Sequence, residues 1–317
     1  MIKYYKTYNG KLQVIPQPEA GCWINIYPPF NHESLKQLSD QYEIPLDFLI
    51  DSLDIDERSR YTREDNVDLM VLKTPILNED EVQNNQDAIF MTIPIGIIQA
   101  KDVLLTISPY ENPVIDCFLN NNVRNFDSTD RQKFVLQLFD RNVFYFLYYL
   151  KEINNERNTL ESELYHSMRN SELTKLLTIE KSLVYFVTSL RSNELMMMKI
   201  QRTDFLKIKE IEDKSELLED VIVDNSQALE MANIYTNILS GTMDAFASII
   251  SNNLNVVMKR LTSVTIILTV PMLVASLYGM NVHIPLEGMQ YAFYYVMLIC
   301  VGLMMLLSWF FVKKRWF

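Results

Sequence analysis

Two long stretches near the carboxyl end of the chain consist almost entirely of apolar residues. Residues 261–280 (LTSVTIILTVPMLVASLYGM) and 291–312 (YAFYYVMLICVGLMMLLSWFFV) contain no acidic residue, no lysine and no arginine. A helix needs about 20 apolar residues to cross the hydrocarbon core of a bilayer. The pattern therefore predicts two transmembrane helices. The alternative, two buried core helices, is typical of shorter apolar runs.

Positive charges flank these spans on one side only. Lys259 and Arg260 precede the first span and a basic tail at 313–317 (KKRWF) follows the second, whereas the connecting loop 281–290 has neither lysine nor arginine. Lysine and arginine favour the cytosolic side of a membrane. Both termini are therefore expected in the cytosol and the loop outside. The first residues lack the apolar stretch of a signal peptide.

Alternating strand and helix patterns cover residues 1–125. The amphipathic segments 34–42 and 46–54 are typical of short helices. Runs typical of strands lie at 22–29, 67–77, 88–99 and 103–109. This alternation predicts an α+β cytosolic domain built of αβα layers.

Long helices are predicted between this domain and the membrane. Residues 126–213 are rich in Leu, Glu and Lys and contain no proline or glycine, which favours a hairpin of two antiparallel helices. A further helix begins near Ser215, forms a stalk at 214–260 and continues into the first span. Its length is roughly 100 Å at about 1.5 Å per residue.

One face of this last helix is polar along its whole length. Steps of four and three residues from Asn237 and Gly241 meet thirteen positions, of which eleven are small or polar and two are methionines. A period near 3.5 residues keeps one face in register in a left-handed bundle. We call these thirteen positions the seam. Beyond Asn237 and Gly241 it comprises Asp244, Ser248, Ser251, Asn255, Met258, Thr262, Thr265, Thr269, Met272, Ser276 and Gly279.

The seam predicts a water-lined pore that several copies of the helix form around one axis. The alternative is that each hydroxyl bonds to its own backbone or to a neighbouring helix, as is common in membrane helices. Pro271 interrupts the span and frees the carbonyl near Ile267. The resulting kink could serve conduction or packing alone.

Charge and composition narrow the class of protein. The formal net charge of −11 divides into +4 for residues 256–317 and −15 for the residues before them. An acidic body disfavours nucleic acid as a partner and attracts cations. The 3 cysteines form no CxxC pair, and the sequence has no Walker loop, HExxH or GxSxG pattern. An enzyme, a thiolate zinc site and a disulfide framework are therefore disfavoured.

The outer end of the first span reads YGMN at residues 278–281, and a short loop, a second span and a basic tail follow it. This order resembles the CorA-type magnesium channels, the two-transmembrane GMN family. Residues 22–26 (CWINI), 44–54 (IPLDFLIDSLD) and 251–261 (SNNLNVVMKRL) are similar to further segments of that family. The resemblance implies a funnel-shaped homopentamer in the lipid of the cytoplasmic membrane. It also implies that Mg²⁺ is conducted into the cell, with Co²⁺ and Ni²⁺ as further candidates.

The resemblance implies a selectivity filter at Gly279, Met280 and Asn281, where carbonyl and amide oxygens bond the hydration water of the ion. Asn281 could also form a helix C-cap, a role that is compatible with one in the filter. Glu287 in the outer loop could gather cations. The other implied pore-lining residues are Asp244, Ser248, Asn255, Met258, Thr262, Thr265, Thr269, Met272 and Ser276.

Constrictions and polar rings are expected along this pore. Met258 and Met272 narrow it with apolar side chains and could close it by dewetting. Five copies each of Asn255 and Asp244 form polar rings below, although Asp244 could equally be a solvated carboxylate. The family often has small residues where this chain has threonines, which leaves the position of the narrowest constriction open.

A regulatory Mg²⁺ site is implied between Asp51 and Asp220 of the neighbouring subunit. Both residues lie in acid-rich segments, at 51–57 and 216–220. Carboxylates that face each other across an interface repel until a divalent ion bridges them. Cytosolic Mg²⁺ would then hold the channel shut. Acidic residues in such numbers could equally form a solvated face.

Two other interpretations remain open. The first is a zinc or divalent-cation efflux transporter of the same architecture, which ion competition in liposomes would identify. The second is a membrane-anchored sensor that conducts no ions. The sequence also leaves open the direction of flux, the selectivity among Mg²⁺, Co²⁺, Ni²⁺ and Zn²⁺, the gate, the resting state and the role of the histidines.

Overall fold

The computed structural model of the chain describes residues 1–78, 87–166, 170–280, 283, 285 and 288–314. Within these residues, the amino-terminal part contains one mixed sheet. Its strands are β1 (Ile2–Tyr8), β2 (Lys11–Ile15), β3 (Trp23–Ile26), β4 (Arg60–Glu64), β5 (Val67–Leu77), β6 (Phe90–Ala100) and β7 (Val103–Ile107).

The strands lie in the order β2-β1-β3-β7-β6-β5-β4. Only β3 and β7 pair in parallel among the described strands, with Trp23 opposite Leu104. The long strands β5 and β6 form an antiparallel pair from Asp68 opposite Gln99 to Leu77 opposite Phe90. Both are apolar on the two faces, as expected for strands covered on both sides.

Helices cover both faces of this sheet. Helices α1 (His32–Tyr42) and α2 (Leu46–Asp51) pack on one face, where Leu35, Leu38 and Leu49 are buried against strand residues such as Ile24. On the other face lie α3 (Pro113–Leu119), α4 (Arg131–His166) and α5 (Asn170–Thr203). The ring of Trp23 meets those of Phe118 and Phe134 there, at centroid distances of 6.3 and 5.1 Å. The predicted αβα layering is therefore confirmed.

Helices α4 and α5 form the predicted antiparallel hairpin. The rings of Phe146 and Phe186 meet at 5.1 Å between centroids. Nearer the other end, the side-chain amides of Asn142 and Asn193 both donate to the backbone carbonyl of Lys73, at 3.1 and 2.8 Å. These buried hydrogen bonds attach the hairpin to β5.

Helix α6 (Glu212–Tyr278) is a single element of 67 residues, and α7 (Ala292–Lys313) follows it. The chain divides into two compact units, Met1–Ser240 and Gly241–Phe317, so that α6 contributes to both. In the first unit, Leu218 and Val221 of α6 are buried in the core that contains Trp23. The predicted domain boundaries after residues 125, 213 and 260 stay predictions.

The structure contains strands that the sequence pattern did not indicate. β1, β2 and β4 lie at or near the two edges of the sheet, where half-exposed positions interrupt the apolar alternation. The predicted helix 46–54 ends earlier, at Asp51, because turns begin at Ser52. The long helix begins three residues before the expected Ser215 and ends two residues before Met280.

Candidate functional site

The seam of α6 is open to the surroundings in the structure of one chain. Every seam position from Asp244 to Gly279 is exposed, including the methionines Met258 and Met272, whose residues are 51% and 67% exposed. The apolar flank is exposed as well, at Leu261, Leu268 and Leu273. One helix therefore presents a polar face and an apolar face in the same segment.

The hydroxyl groups of the seam are bonded locally. Thr265 Oγ1 donates to the carbonyl of Leu261 at 2.9 Å, and Thr269 Oγ1 donates to the carbonyl of Thr265 at 2.7 Å. These are the backbone hydrogen bonds expected of threonine in a membrane helix. Each hydroxyl oxygen retains acceptor capacity for water. The local bonds are thus compatible with a wet face.

A serine next to the seam in sequence differs from the seam residues in its burial. Ser263 is fully buried and donates to the carbonyl of Lys259 at 2.9 Å. Farther along, helix α6 continues through Pro271, and Cys300 Sγ of α7 lies 3.9 Å from the Pro271 carbonyl oxygen. The side of α6 that faces α7 is therefore distinct from the seam.

Helices α6 and α7 are the two described helices that are long and apolar enough to cross a membrane. Of their most apolar 18-residue windows, 6% and 11% of residues are buried within the chain. Core helices of soluble proteins bury such surface. Exposure of these windows therefore agrees with the two predicted spans.

The structure describes part of the predicted filter. The N–H of Gly279 donates to the carbonyls of Ala275 and Ser276 at 3.1 and 3.2 Å, and the N–H of Met280 donates to that of Leu277 at 3.3 Å. These bonds tighten the last turn of α6. The predicted filter residue Asn281 and the predicted outer-mouth residue Glu287 lie outside the described residues.

Asp51, the predicted regulatory ligand, ends α2 and forms an ion pair within its own chain. Arg60 Nη2 donates to Asp51 Oδ2 at 2.7 Å, and the two side chains are 34% and 38% exposed, respectively. Arg60 Nε also donates to Glu57 Oε1 at 2.6 Å and Nη1 to Thr62 Oγ1 at 2.8 Å. All three guanidinium nitrogens are therefore engaged by neighbouring side chains.

A second cation lies beside the segment 51–57, which we call the acidic loop. Lys73 Nζ donates to the carbonyl oxygen of Ile55. Burial lowers the pKa of Lys73, and the carboxylates of Asp56, Asp54 and Glu57 act in the opposite direction. The four carboxylates of the acidic loop thus lie close to two cations of the same chain.

The position of Asp51 depends on a close approach between α2 and the sheet. The next residue, Ser52, is fully buried and donates to the carbonyl of Phe48 at 2.6 Å. It packs directly on Gly96 of β6, where a Cβ atom would overlap both Ser52 Oγ and Ser52 Cβ. Absence of a side chain at Gly96 therefore allows the end of α2 to reach the sheet.

Asp220, the other predicted regulatory residue, is exposed on α6. One chain pairs Asp51 with Arg60 rather than with Asp220. Among the described residues, no group of three His, Cys, Asp or Glu side chains could hold a metal ion. A site that combines Asp51 and Asp220 therefore stays a prediction.

The sequence interpretation did not identify Arg60 or Lys73. Arg60 follows the acidic loop by three residues, at the start of β4, and Lys73 lies farther along the chain in β5, which pairs with β4. An arginine nine residues after Asp51 carries no spacing signal of its own. The available signal was the concentration of unpaired acids in 51–57, which calls for nearby cations.

Comparisons with known proteins cover nearly the whole chain. The family model described as "CorA-like Mg2+ transporter protein" matches residues 18–315. The chain is 29% identical over 307 residues to the cobalt/magnesium transport protein CorA of Methanocaldococcus jannaschii, covering 93% of this chain and 90% of that protein. It is 22% identical over 303 residues to the protein of the same name from Thermotoga maritima, covering 93% of this chain and 83% of that protein.

The fold is similar to a solved structure described as the complete structure of the CorA magnesium transporter from Methanocaldococcus jannaschii. The TM-score is 0.84 and the sequence identity 26%, and the similarity covers 100% of this chain and 99% of that chain. It thus includes the sheet, the long helix α6 and the second apolar helix α7.

Proposed function

Because the chain belongs to the family of CorA-like Mg²⁺ transporter proteins, we propose that it is a channel through which Mg²⁺ enters the cell across the cytoplasmic membrane. Members of this family transport ions and are not enzymes. Co²⁺ and Ni²⁺ are further candidate substrates. The acidic unit would lie in the cytosol together with both termini, as the positive charges at Lys259, Arg260 and Lys313 favour.

The polarity of the seam within a membrane-spanning segment is the observation that supports conduction. A polar face directed at acyl chains would leave its groups without water, which is costly in hydrocarbon. In a homopentamer, five seams would instead surround a common axis and hold water between them. The apolar flank at Leu261, Leu268 and Leu273 would then face lipid or neighbouring helices.

The proposed filter acts on the hydrated ion. Mg²⁺ holds its water tightly and requires octahedral geometry. Rings of Asn281 amide oxygens and Gly279 carbonyls, with Met280 between them, would accept hydrogen bonds from the hydration water without trapping the ion as carboxylates would. Glu287 would attract cations to the outer mouth of the pore.

Farther inward, the seam would control passage by size and charge. Met258 and Met272 would form narrow apolar rings that close by dewetting. Five copies of Asp244 around an axis would repel one another unless cations lay between them. The proposed pore thus combines cation-attracting rings with a hydrophobic gate.

Regulation would involve Mg²⁺ bound between Asp51 and Asp220 of adjacent subunits. Carboxylate oxygens are suitable ligands for Mg²⁺, which commonly takes one or two of them and keeps several waters. Asp220 is exposed and Asp51 is half-exposed. Bound Mg²⁺ would hold neighbouring subunits together in the closed state, and its loss would release them.

Flux into liposomes tests the proposed function. The purified chain is reconstituted around a Mg²⁺-sensitive dye, and Mg²⁺ is added outside. We expect uptake by the wild-type protein and a reduction of at least about tenfold for Asn281→Ala, because every subunit would lose an amide oxygen that accepts a hydrogen bond from the hydration water. Asn252→Ala is the matched control because Asn252 is exposed on α6 but outside the seam.

Other outcomes would favour the alternatives. Zinc movement that requires a proton gradient, without Mg²⁺ uptake, would indicate an efflux transporter. Absence of flux for every divalent ion, with correctly folded protein in the liposomes, would indicate a non-conducting sensor. Equal uptake by the wild-type protein and Asn281→Ala would refute the proposed filter.

A further inference from the structure

We propose that Arg60 competes with Mg²⁺ for the carboxylate of Asp51 and thereby sets the Mg²⁺ concentration at which the channel closes. This inference rests on the proposed regulatory site. Its basis is the ion pair between Arg60 Nη2 and Asp51 Oδ2, which joins the two groups at 2.7 Å within one chain.

The guanidinium is held in place over Asp51. Arg60 opens β4, and the residue before it is bound to α5: the Ser59 N–H donates to Ser192 Oγ at 3.1 Å, and Ser59 Oγ donates to Asn193 Oδ1 at 2.6 Å. Asn193 is itself fully buried. The backbone at the base of the Arg60 side chain is therefore fixed by the core of the domain.

The side chain is fixed at its other end as well. Besides Asp51, the guanidinium bonds to Glu57 Oε1 and Thr62 Oγ1, so its plane and its distance from Asp51 are determined by three partners. A charge held in this way loses little further freedom when it pairs with a carboxylate. Arg60 is thus a preorganised cation beside the proposed ligand.

A divalent ion and this cation cannot both occupy the best position near Asp51. Mg²⁺ at the carboxylate would either displace Arg60 Nη2 from Oδ2 or lie within a few ångströms of a positive charge. Displacement of Arg60 and repulsion between the two positive charges would each reduce the affinity of the site for Mg²⁺. When Mg²⁺ is scarce, Arg60 neutralises Asp51, so the empty site carries less of the repulsion that two bare carboxylates would have.

The other acids of the acidic loop are placed differently. Asp54 and Asp56 act on Lys73, Glu57 acts on Lys73 and also accepts a hydrogen bond from Arg60 Nε, and Asp51 is paired with Arg60. Removal of the Arg60 charge should therefore change the affinity of Asp51 for Mg²⁺ more than it changes the fold of the loop. The loop retains the hydrogen bond from Lys73 Nζ to the carbonyl of Ile55.

The test measures binding rather than flux. Detergent-purified protein is incubated with increasing Mg²⁺, and protection from a protease is followed together with the melting temperature, both of which rise when a ligand binds the native assembly. We expect Arg60→Gln to lower the Mg²⁺ concentration for half-maximal protection by about tenfold, as removal of a charge near an exposed divalent ion should. Arg60→Lys keeps the charge but loses the guanidinium that three partners hold in place, so its half-maximal concentration should lie between those of the wild-type protein and Arg60→Gln.

Arg58→Gln is the matched control. It removes the same charge two residues away, from a side chain that is exposed, and solvent screening should keep its effect below about threefold. An equal shift in Arg58→Gln and Arg60→Gln would overturn the inference, because net charge alone would then explain both.

The outcomes separate this inference from the regulatory site itself. If Asp51→Ala abolishes Mg²⁺ protection while Arg60→Gln leaves the half-maximal concentration unchanged or raises it, the site stands and the role of Arg60 is refuted. If Asp51→Ala retains full protection, the regulatory site fails and the inference fails with it. Mg²⁺ uptake in liposomes tests the proposed channel function independently of these binding results.

Discussion

Gly96 shows how a single residue positions a distant functional group. It lies in the middle of β6, and its lack of a side chain admits the buried Ser52 at the end of α2. Asp51 is the adjacent residue and carries the ion pair with Arg60. The distance between α2 and the sheet therefore determines the position of the Asp51 carboxylate.

Substitution of this glycine should destabilise the amino-terminal unit. The added methyl group of Gly96→Ala would overlap Ser52 and crowd Ile107, and such overpacking costs about 1–3 kcal/mol. The expected result is a lower melting temperature of the purified protein. Gly302→Ala in α7 adds the same methyl group where nothing lies within 4 Å, and it should leave the melting temperature nearly unchanged. Equal stability of the two variants would show that α2 moves away without cost.

At the residue scale, the sequence indicates which side chains could bind a metal ion better than it indicates which residues contact them. The acid-rich segment 51–57 was recognisable, and Asp51 was selected through the family resemblance. Arg60 is not indicated by the sequence pattern, because its contact with Asp51 depends on how the loop between α2 and β4 is folded. Tertiary pairing of this kind has no signature in the local pattern of apolar and polar residues.

Helix α6 contributes a polar seam and an apolar flank to the same membrane segment. Both sets of side chains are exposed in one chain, so exposure alone does not distinguish water from lipid. The chemical difference between them predicts which side will meet water in the assembled protein. Thiol reactivity can measure this difference because the reactive thiolate forms in water and not in hydrocarbon.

Cysteine substitution in a background without Cys22, Cys117 and Cys300 provides the measurement. Cysteines at Thr265 and Met272 in the seam should react with a water-soluble methanethiosulfonate reagent, and the reaction should block Mg²⁺ uptake. Cysteines at the flank positions Leu268 and Leu273 should react at least about tenfold more slowly. Comparable reactivity at all four positions, or faster reaction on the flank, would contradict a pore along the seam.

Long elements with one strong period were predicted well, and short elements at the sheet edges were not. The two spans and the long helix agree with their predicted ranges to within a few residues, and the hairpin α4–α5 lies inside its predicted range. β4, with the sequence RYTRE, is an edge strand in which both faces are partly exposed, so it lacks the apolar alternation that marks a strand. Its place in the sheet comes from pairing with β5.

Net positive and net negative charge are concentrated in different parts of the chain. Residues 256–317 carry +4 and the residues before them −15. An acidic cytosolic unit would concentrate divalent cations near the inner mouth of a pore, while the basic segment ends would face the anionic cytosolic leaflet. The family was recognised from the motif at 278–281 together with its place between two spans, and family membership confirms that resemblance.

The proposed assembly can be tested on the intact protein. Five identical seams around one axis require five chains, each of 37.2 kDa. Native mass spectrometry of the detergent-solubilised protein should give a pentamer as the main species. A monomer or dimer that still conducts Mg²⁺ in liposomes would contradict a pore built from five copies of α6. The same measurement on Asn281→Ala should also give a pentamer, since Asn281 is proposed to act on the ion.

Because α6 is a single helix, it also restricts the lengths of insertions and deletions that this segment can accept. Each residue of an α-helix turns the next by about 100°. One residue gained or lost between Asp244 and Thr262 would swing every later seam position by that angle, and threonines would point where leucines had been. Gains or losses of seven or eleven residues restore the angular phase almost completely. Natural insertions and deletions in this segment should therefore occur in such blocks, while the loops of the amino-terminal unit accept any number.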